Sequence, residues 1–194
     1  MSAGPLPPPP TLALAAFLAL LAVQRCAEVA QSAANSRRLR ARGAVEHGRG
    51  HYPLLVALHV LWPLGLIAEV LGADARPWRS WPLWLLLLLA AQGLRFAAMA
   101  ALGERWTTRV LVLPGEPLLR RGPYRWLRHP SYVAVTLELV AAPLLFGAWR
   151  TALAASAVNL ALLVVRVRVE ERDPSFSVVL DRPKTPAATP KGGR

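Results

Sequence analysis

The sequence predicts an all-α polytopic membrane protein with about five transmembrane helices, the last two forming a C-terminal helical hairpin. Three observations carry this expectation. Hydrophobic residues make up 54% of the 194 residues and charged residues only 18%, with a mean hydropathy of +0.35, a balance too apolar for a soluble domain of this length. Five apolar segments approach the roughly 20 residues that an α-helix needs to cross a bilayer. The arginines gather in alternate loops between those segments, as expected of loops kept on the cytoplasmic side.

The first segment runs from Thr11 to Val29. Its leader, MSAGPLPPPP, has no positively charged n-region, and no clean small-residue cleavage site follows, so the segment reads as a retained helix rather than a signal peptide. Leu54 to Leu71 and Pro82 to Leu102 are the second and third segments. The fourth, Tyr132 to Trp149, and the fifth, Thr151 to Val169, are separated only by the turn at Gly147 to Thr151, which calls for a tight antiparallel hairpin. His129-Pro130 fits the start of the fourth helix: proline at the first helical position loses no useful N–H, and the residue before it caps. Residues 1–175 are thus expected to form one membrane domain. Residues 176–194, rich in Pro, Lys and Thr without periodicity, read as a disordered tail.

The formal net charge is +12. It reflects topology rather than nucleic-acid binding, because the basic residues occupy short loops between apolar segments. Of the 23 Lys and Arg, only Arg76, Arg79 and Arg150 fall in the opposite loops. That asymmetry predicts an N-terminus outside and a cytoplasmic C-terminus in a cell inner membrane. Arg25 and Arg95 lie near the ends of their segments, where they can snorkel. Cys26 is the sole cysteine, so no internal disulfide framework exists. His47 and His51 are four apart but flanked by glycines, with no carboxylate to complete a metal set, and no metal site is expected.

Polar clusters bracket the last two segments. The chain reads Gly122-Pro123-Tyr124, then Arg128-His129-Pro130-x-Tyr132, the apolar hairpin, and Arg166-x-x-x-Glu170-Glu171. Both clusters therefore meet at one face of the bilayer, a suitable place for a polar cofactor beside a lipophilic substrate. Arg166 and Glu170 share a helix face, but arginine before glutamate is the weaker order for a simple ion pair. A blander reading makes His129 a cap, Tyr132 an interfacial belt residue and the Arg/Glu group a stop-transfer anchor. The double glutamate argues against it, since anchors favour cations without acids. Glu69 and Glu138 interrupt apolar segments, where an ionisable group is functional by default. Glu69 is expected at the interface. Glu138, two turns below Tyr132, is expected to face a substrate tunnel, and Asn159 is either a tunnel residue or interhelical glue.

These motifs resemble the isoprenylcysteine carboxyl methyltransferase family and its phospholipid methyltransferase relatives. The resemblance implies a membrane-embedded enzyme that binds S-adenosylmethionine (SAM) on the cytosolic side of the C-terminal hairpin, without a Rossmann glycine fingerprint. Tyr124, His129, Tyr132, Glu170 and Glu171 become the expected cofactor-binding residues. Glu170 and Glu171 suit the SAM ammonium or ribose hydroxyls. His129 and Tyr132, helped by the positive N-terminus of the fourth helix, suit its carboxylate or adenine edge. Arg166, the expected catalytic cation, or Arg125 holds an acidic acceptor oxygen as its anion; His129 is the one proton acceptor within the motif, and a phenol or enol acidified by a nearby arginine needs none. After the double glutamate the family continues with an aliphatic residue, a Gly-Tyr pair and a basic-proline segment that closes over the cofactor. Here DPSFSVVLDRPKTPAATPKGGR stands instead, which bears on that closure.

Upstream, GAVEHGRGHYPLLVALH and LGERWTTRVLVLPG look like the bacterial subfamily encoded beside type III polyketide synthases. This resemblance implies O-methylation of an alkylresorcinol or alkylpyrone, a lipophilic small molecule drawn from the bilayer. The alternatives are carboxyl methylation of isoprenylcysteine, an NADPH-dependent sterol-type membrane reductase sharing an HPxY-like loop, and a non-catalytic membrane scaffold. Sequence leaves the oligomeric state open.

Overall fold

The computed structural model describes residues 10–47, 50, 52–73, 75–113 and 120–172, with side chains to residue 168. The tail at 176–194 lies outside the described residues. Among the described residues five α-helices make up the body: α1 (Pro10–Ala41), α2 (Tyr52–Gly72), α3 (Trp81–Leu102), α4 (Pro130–Leu145) and α5 (Trp149–Arg172). Two three-residue strands, β1 (Val45–His47) and β2 (Val110–Val112), pair antiparallel with Glu46 opposite Leu111.

Four helices, α1, α2, α3 and α5, are long and apolar enough to cross a membrane. Their outward faces carry large apolar side chains: Leu20 is 72% exposed, Leu86 63% and Leu160 65%. Such continuous apolar surface is tolerable only in lipid. Inside, Leu66 and Leu139 are almost completely buried, and Phe17 meets Trp62 and Phe146 at ring-centroid distances of 6.5 and 5.5 Å. α3 packs along α4, α4 against α5, and α5 against α2.

The fourth helix is shorter than expected. Its 16 residues rise about 24 Å, less than the ~30 Å hydrocarbon core. Proline at 143 brings no N–H to the last turn, and the helix stops at Leu145 before Gly147 reverses the chain at φ +78°. A Cβ at 147 would collide with the Arg76 carbonyl, so only glycine lets the hairpin seat against the α2–α3 loop. The first helix is longer than expected. It does not end near Val29 but continues through AQSAANSRRLRA, which contains neither glycine nor proline to stop it, until Gly43 at φ +90°.

The two ends of the bundle are built differently. At one end, Glu69 of α2 accepts hydrogen bonds from the backbone N–H groups of Arg150 (3.1 Å) and Thr151 (2.8 Å) and from the Thr151 hydroxyl (2.7 Å). Glu69 is therefore buried and caps the first turn of α5, where its charge also opposes the positive helix end. Close by, Gly65 brings α2 within 3.4 Å of Thr151, measured from a Cβ placed there. At the other end lie the ribbon, residues 103–113 and 120–129, and the exit of α5. Reporter fusions after Arg42, Arg121 and Asp173 should report one side of the membrane, the cytoplasm, and a fusion after Arg79 the opposite side. The same signal at Arg79 as at Arg121 would break this arrangement.

Candidate active site

The motif end is assembled by a chain of polar contacts. Arg121 Nε–H donates to the Ala101 carbonyl at 2.6 Å, satisfying one of the open carbonyls at the end of α3. Gly122, at φ +54°, lets the loop pass within 3.1 Å of Ala101, measured from a Cβ placed there. The short turn Gly122–Arg125 then places Tyr124 half-buried, with its hydroxyl on the Ser131 side chain. Burial pushes the Tyr124 phenol above its ordinary value, against the opposing effect of that hydrogen bond.

His129 precedes α4 in the N-cap position, yet its side chain makes no capping hydrogen bond. Its ring instead stacks on Tyr132, with centroids 4.8 Å apart and planes within 2°. The Arg166 guanidinium lies 5.1 Å from the Tyr132 ring centroid and donates to the Thr108 carbonyl at 3.4 Å. His129, Tyr132 and Arg166 thus form one row at the mouth of the α4–α5 hairpin. Glu170 and Glu171 occupy the last turn of α5, one turn beyond Arg166, and their side chains lie outside the described residues.

Asn159 sits below this row, 1% exposed. Its Nδ2 donates to the Thr136 hydroxyl at 3.1 Å, and that hydroxyl donates to the Tyr132 carbonyl at 2.9 Å. Asn159 Oδ1 is buried without a hydrogen-bond partner. Glu138 is on another face of α4 and does not join Asn159. Between α1, α3 and α4 it pairs with Arg25 and Arg95.

That pairing belongs to a network which sequence reasoning missed. Arg25 Nη1 also meets Glu28 Oε2 at 2.5 Å, Arg95 Nη1 meets the same oxygen at 3.4 Å, and Gln24 links Glu28 to Gln92 at 2.8 Å each. Glu138, Glu28 and Arg95 are 2, 6 and 7% exposed. Arg25 and Arg95 therefore do not snorkel. They are enclosed with two carboxylates, which keeps the buried charge balanced. The expected helix end at Val29 concealed this, because it placed Arg25 and Glu28 at an interface rather than within a longer helix. The i, i+3 pairing of Arg25 and Glu28 was the available signal.

The ribbon also escaped prediction. Glu46 holds it, accepting from Arg40 and Arg109 at 2.6 Å each. Burial would raise the Glu46 carboxyl, but hydrogen bonds from Arg109 and Arg40 bring it below the ordinary carboxylate range. Thr108 ties the ribbon to the bundle: its N–H donates to Ser32 Oγ at 2.9 Å, and its hydroxyl is 3.2 Å from the Tyr52 hydroxyl. His47 lies in β1, His51 is outside the described residues, and no His/Cys/Asp/Glu group able to hold a metal occurs among the described residues.

A helical membrane bundle with a cation, an imidazole and a phenol gathered at the mouth of its C-terminal hairpin defines a polytopic membrane protein with a polar site facing one aqueous side. The chain belongs to the isoprenylcysteine carboxyl methyltransferase family, whose model matches residues 84–174, from α3 through the double glutamate. It is 41% identical over 156 residues to the uncharacterized protein YpbQ of Bacillus subtilis (strain 168), covering 80% of this chain and 93% of that protein. It is 28% identical over 156 residues to an uncharacterized protein of Haemophilus influenzae (strain ATCC 51907 / DSM 11121 / KW20 / Rd), covering 80% and 90%. No solved structure matches. The family implies a SAM-dependent methyltransferase embedded in the membrane.

Proposed function

We propose that this protein transfers a methyl group from SAM to the hydroxyl of a lipophilic acceptor, an alkylresorcinol or alkylpyrone, at the cytoplasmic face of the inner membrane. The observation that carries this reading is the His129–Tyr132–Arg166 row at the hairpin mouth. The residues fit a zwitterionic nucleoside. An aromatic pair and the N-terminus of α4 suit a carboxylate or adenine edge, the last turn of α5 carries two acids, and the buried, unpartnered Asn159 Oδ1 offers an acceptor beneath the row. Tyr124, His129, Tyr132, Glu170 and Glu171 are the cofactor-binding set, with Asn159 toward the acceptor side, while Glu138, expected to face a substrate tunnel, is instead taken up by Arg25 and Arg95.

When bound, SAM supplies an electrophilic methyl on a sulfonium, so the protein's task is alignment and exclusion of water. Arg166 holds the acceptor oxygen as its anion. A guanidinium stays charged near neutral pH and makes a neighbouring phenol or enol more acidic, because it stabilises the anion. The proton leaving that oxygen goes to water or to the His129 imidazole. The apolar tail of the acceptor remains among the helices, each buried methylene contributing about 0.8 kcal/mol.

Purified protein in detergent should bind SAM saturably and should not bind NADPH. In membranes, methyl label from SAM should enter a lipophilic product that survives mild alkali, as an aryl or enol ether does. Release of the label as methanol would replace this reading with carboxyl methylation of isoprenylcysteine. NADPH binding without SAM would favour a reductase, and binding of neither a scaffold.

A further inference from the structure

Between α1 and the ribbon lies a cavity of about 730 Å³, well within the size of small-molecule sites. One stripe of α1 forms its long wall. Val29 and Ala33 line the cavity first, then Ser36 and Arg37, then Arg40, a spacing of three to four residues that keeps them on one helix face. Arg109 and Tyr52 face them from the other side, with the guanidinium 4.2 Å from the phenol ring centroid.

The charge of this cavity is unbalanced. Among the described residues, Arg37, Arg40 and Arg109 line it with Glu46 as the lone acid. Glu46 is shared by Arg40 and Arg109, and Arg37 makes no ion pair among the described residues. In addition, Ser36 is 5% exposed and its hydroxyl is buried without a hydrogen-bond partner, although a helical serine ordinarily reaches back to a carbonyl or points into solvent. Ser36 belongs to the lining, and an unmet hydroxyl buried just behind a cationic wall is an arrangement that an oxyanion seated against that wall would complete. The wall grades from apolar to basic along α1, and Val29 and Val23 remain open on the outer helix surface at 57 and 70% exposure. An occupant can therefore keep a hydrocarbon tail in lipid while its head reaches the arginines.

We propose that this cavity binds the anionic headgroup of a membrane amphiphile, at a site separate from the His129–Tyr132–Arg166 row. A phosphate diester of a phospholipid and the phenolate or enolate of a methyl acceptor held there before it moves to Arg166 present the same chemistry here. The row and the cavity are joined through Thr108, which lines the cavity and whose carbonyl accepts from Arg166.

The full chain in a neutral detergent should bind dihexanoyl phosphatidylglycerol saturably, read by tryptophan fluorescence, and dihexanoyl phosphatidylcholine much more weakly. Arg37→Gln should weaken phosphatidylglycerol binding about tenfold, and Ser36→Ala should weaken it several-fold. Arg38→Gln should leave it unchanged, because Arg38 does not line the cavity and pairs with Glu104 at 3.2 Å. Helicity by circular dichroism and elution volume establish that each variant is folded. Equal binding of the two lipids, or wild-type binding by folded Arg37→Gln and Ser36→Ala, would overturn the proposal. A 5-alkylresorcinol then separates the two sources. Displacement of phosphatidylglycerol, with a raised KM in Arg37→Gln, identifies the methyl acceptor, and this arm rests on the proposed function. Retained phosphatidylglycerol identifies the phospholipid, and that result stands even if no methyl transfer is found.

Discussion

Glu138→Ala is expected to lower stability by about 3–5 kcal/mol, the effect of removing one partner from a buried ion pair. The cost arises because Arg95, 7% exposed, and Arg25 both donate to this one carboxylate. Without it, two guanidiniums share Glu28 in an apolar interior. The expected result is a large drop in the midpoint of thermal unfolding, followed in detergent by intrinsic fluorescence. The double variant Arg95→Met with Glu138→Leu should recover most of the loss, since it removes one charge of each sign and leaves Arg25 with Glu28 at 2.5 Å. An unaltered midpoint in Glu138→Ala would mean that water reaches these groups and that the network does not bind α1 to α3 and α4. The effect should be pronounced because α1 is the least buried of the four long helices, and this network is a main tie holding it to the bundle.

The next largest effects are expected at the hairpin mouth. His129→Ala and Glu170→Gln should each weaken SAM binding roughly tenfold to a hundredfold, the equivalent of about 1.5–3 kcal/mol for a charge-assisted hydrogen bond. Membrane insertion and thermal stability should change little, because the His129 side chain makes no capping hydrogen bond to α4. Arg166→Lys should act differently. Lysine keeps the charge but lacks the planar group that lies over Tyr132, so methyl transfer should fall more than SAM affinity. Titration calorimetry for binding and labelled methyl transfer for turnover separate the two roles. Wild-type SAM affinity in both His129→Ala and Glu170→Gln would reduce these residues to a helix boundary and a charged anchor.

The class of protein was legible because membrane insertion depends on transfer free energies that add up along a continuous stretch. Runs such as Leu54 to Leu71 and Pro82 to Leu102 announce themselves without reference to any other part of the chain, and α2 and α3 fall close to them. The hairpin was equally local: Gly147 and the few residues around it leave no alternative to a tight return. The candidate site was legible as residue types, since His129, Tyr132 and Arg166 flank the hairpin at fixed distances from its ends.

Tertiary structure decided which polar groups meet. Glu138 lies 113 residues from Arg25 and 43 from Arg95, separations over which no periodicity carries information. Glu69 became the cap of α5 because α2 and α5 pack side by side, not because of its neighbours in sequence. Strands of three residues are too short to show alternation, and β1 with β2 depends on Glu46 reaching Arg109 across the fold. Local sequence thus determined what enters the membrane and where the chain turns, through burial summed residue by residue. The choice of ion-pair and hydrogen-bond partners waited on packing, because a buried charge is stable only beside a group that the folded bundle brings to it.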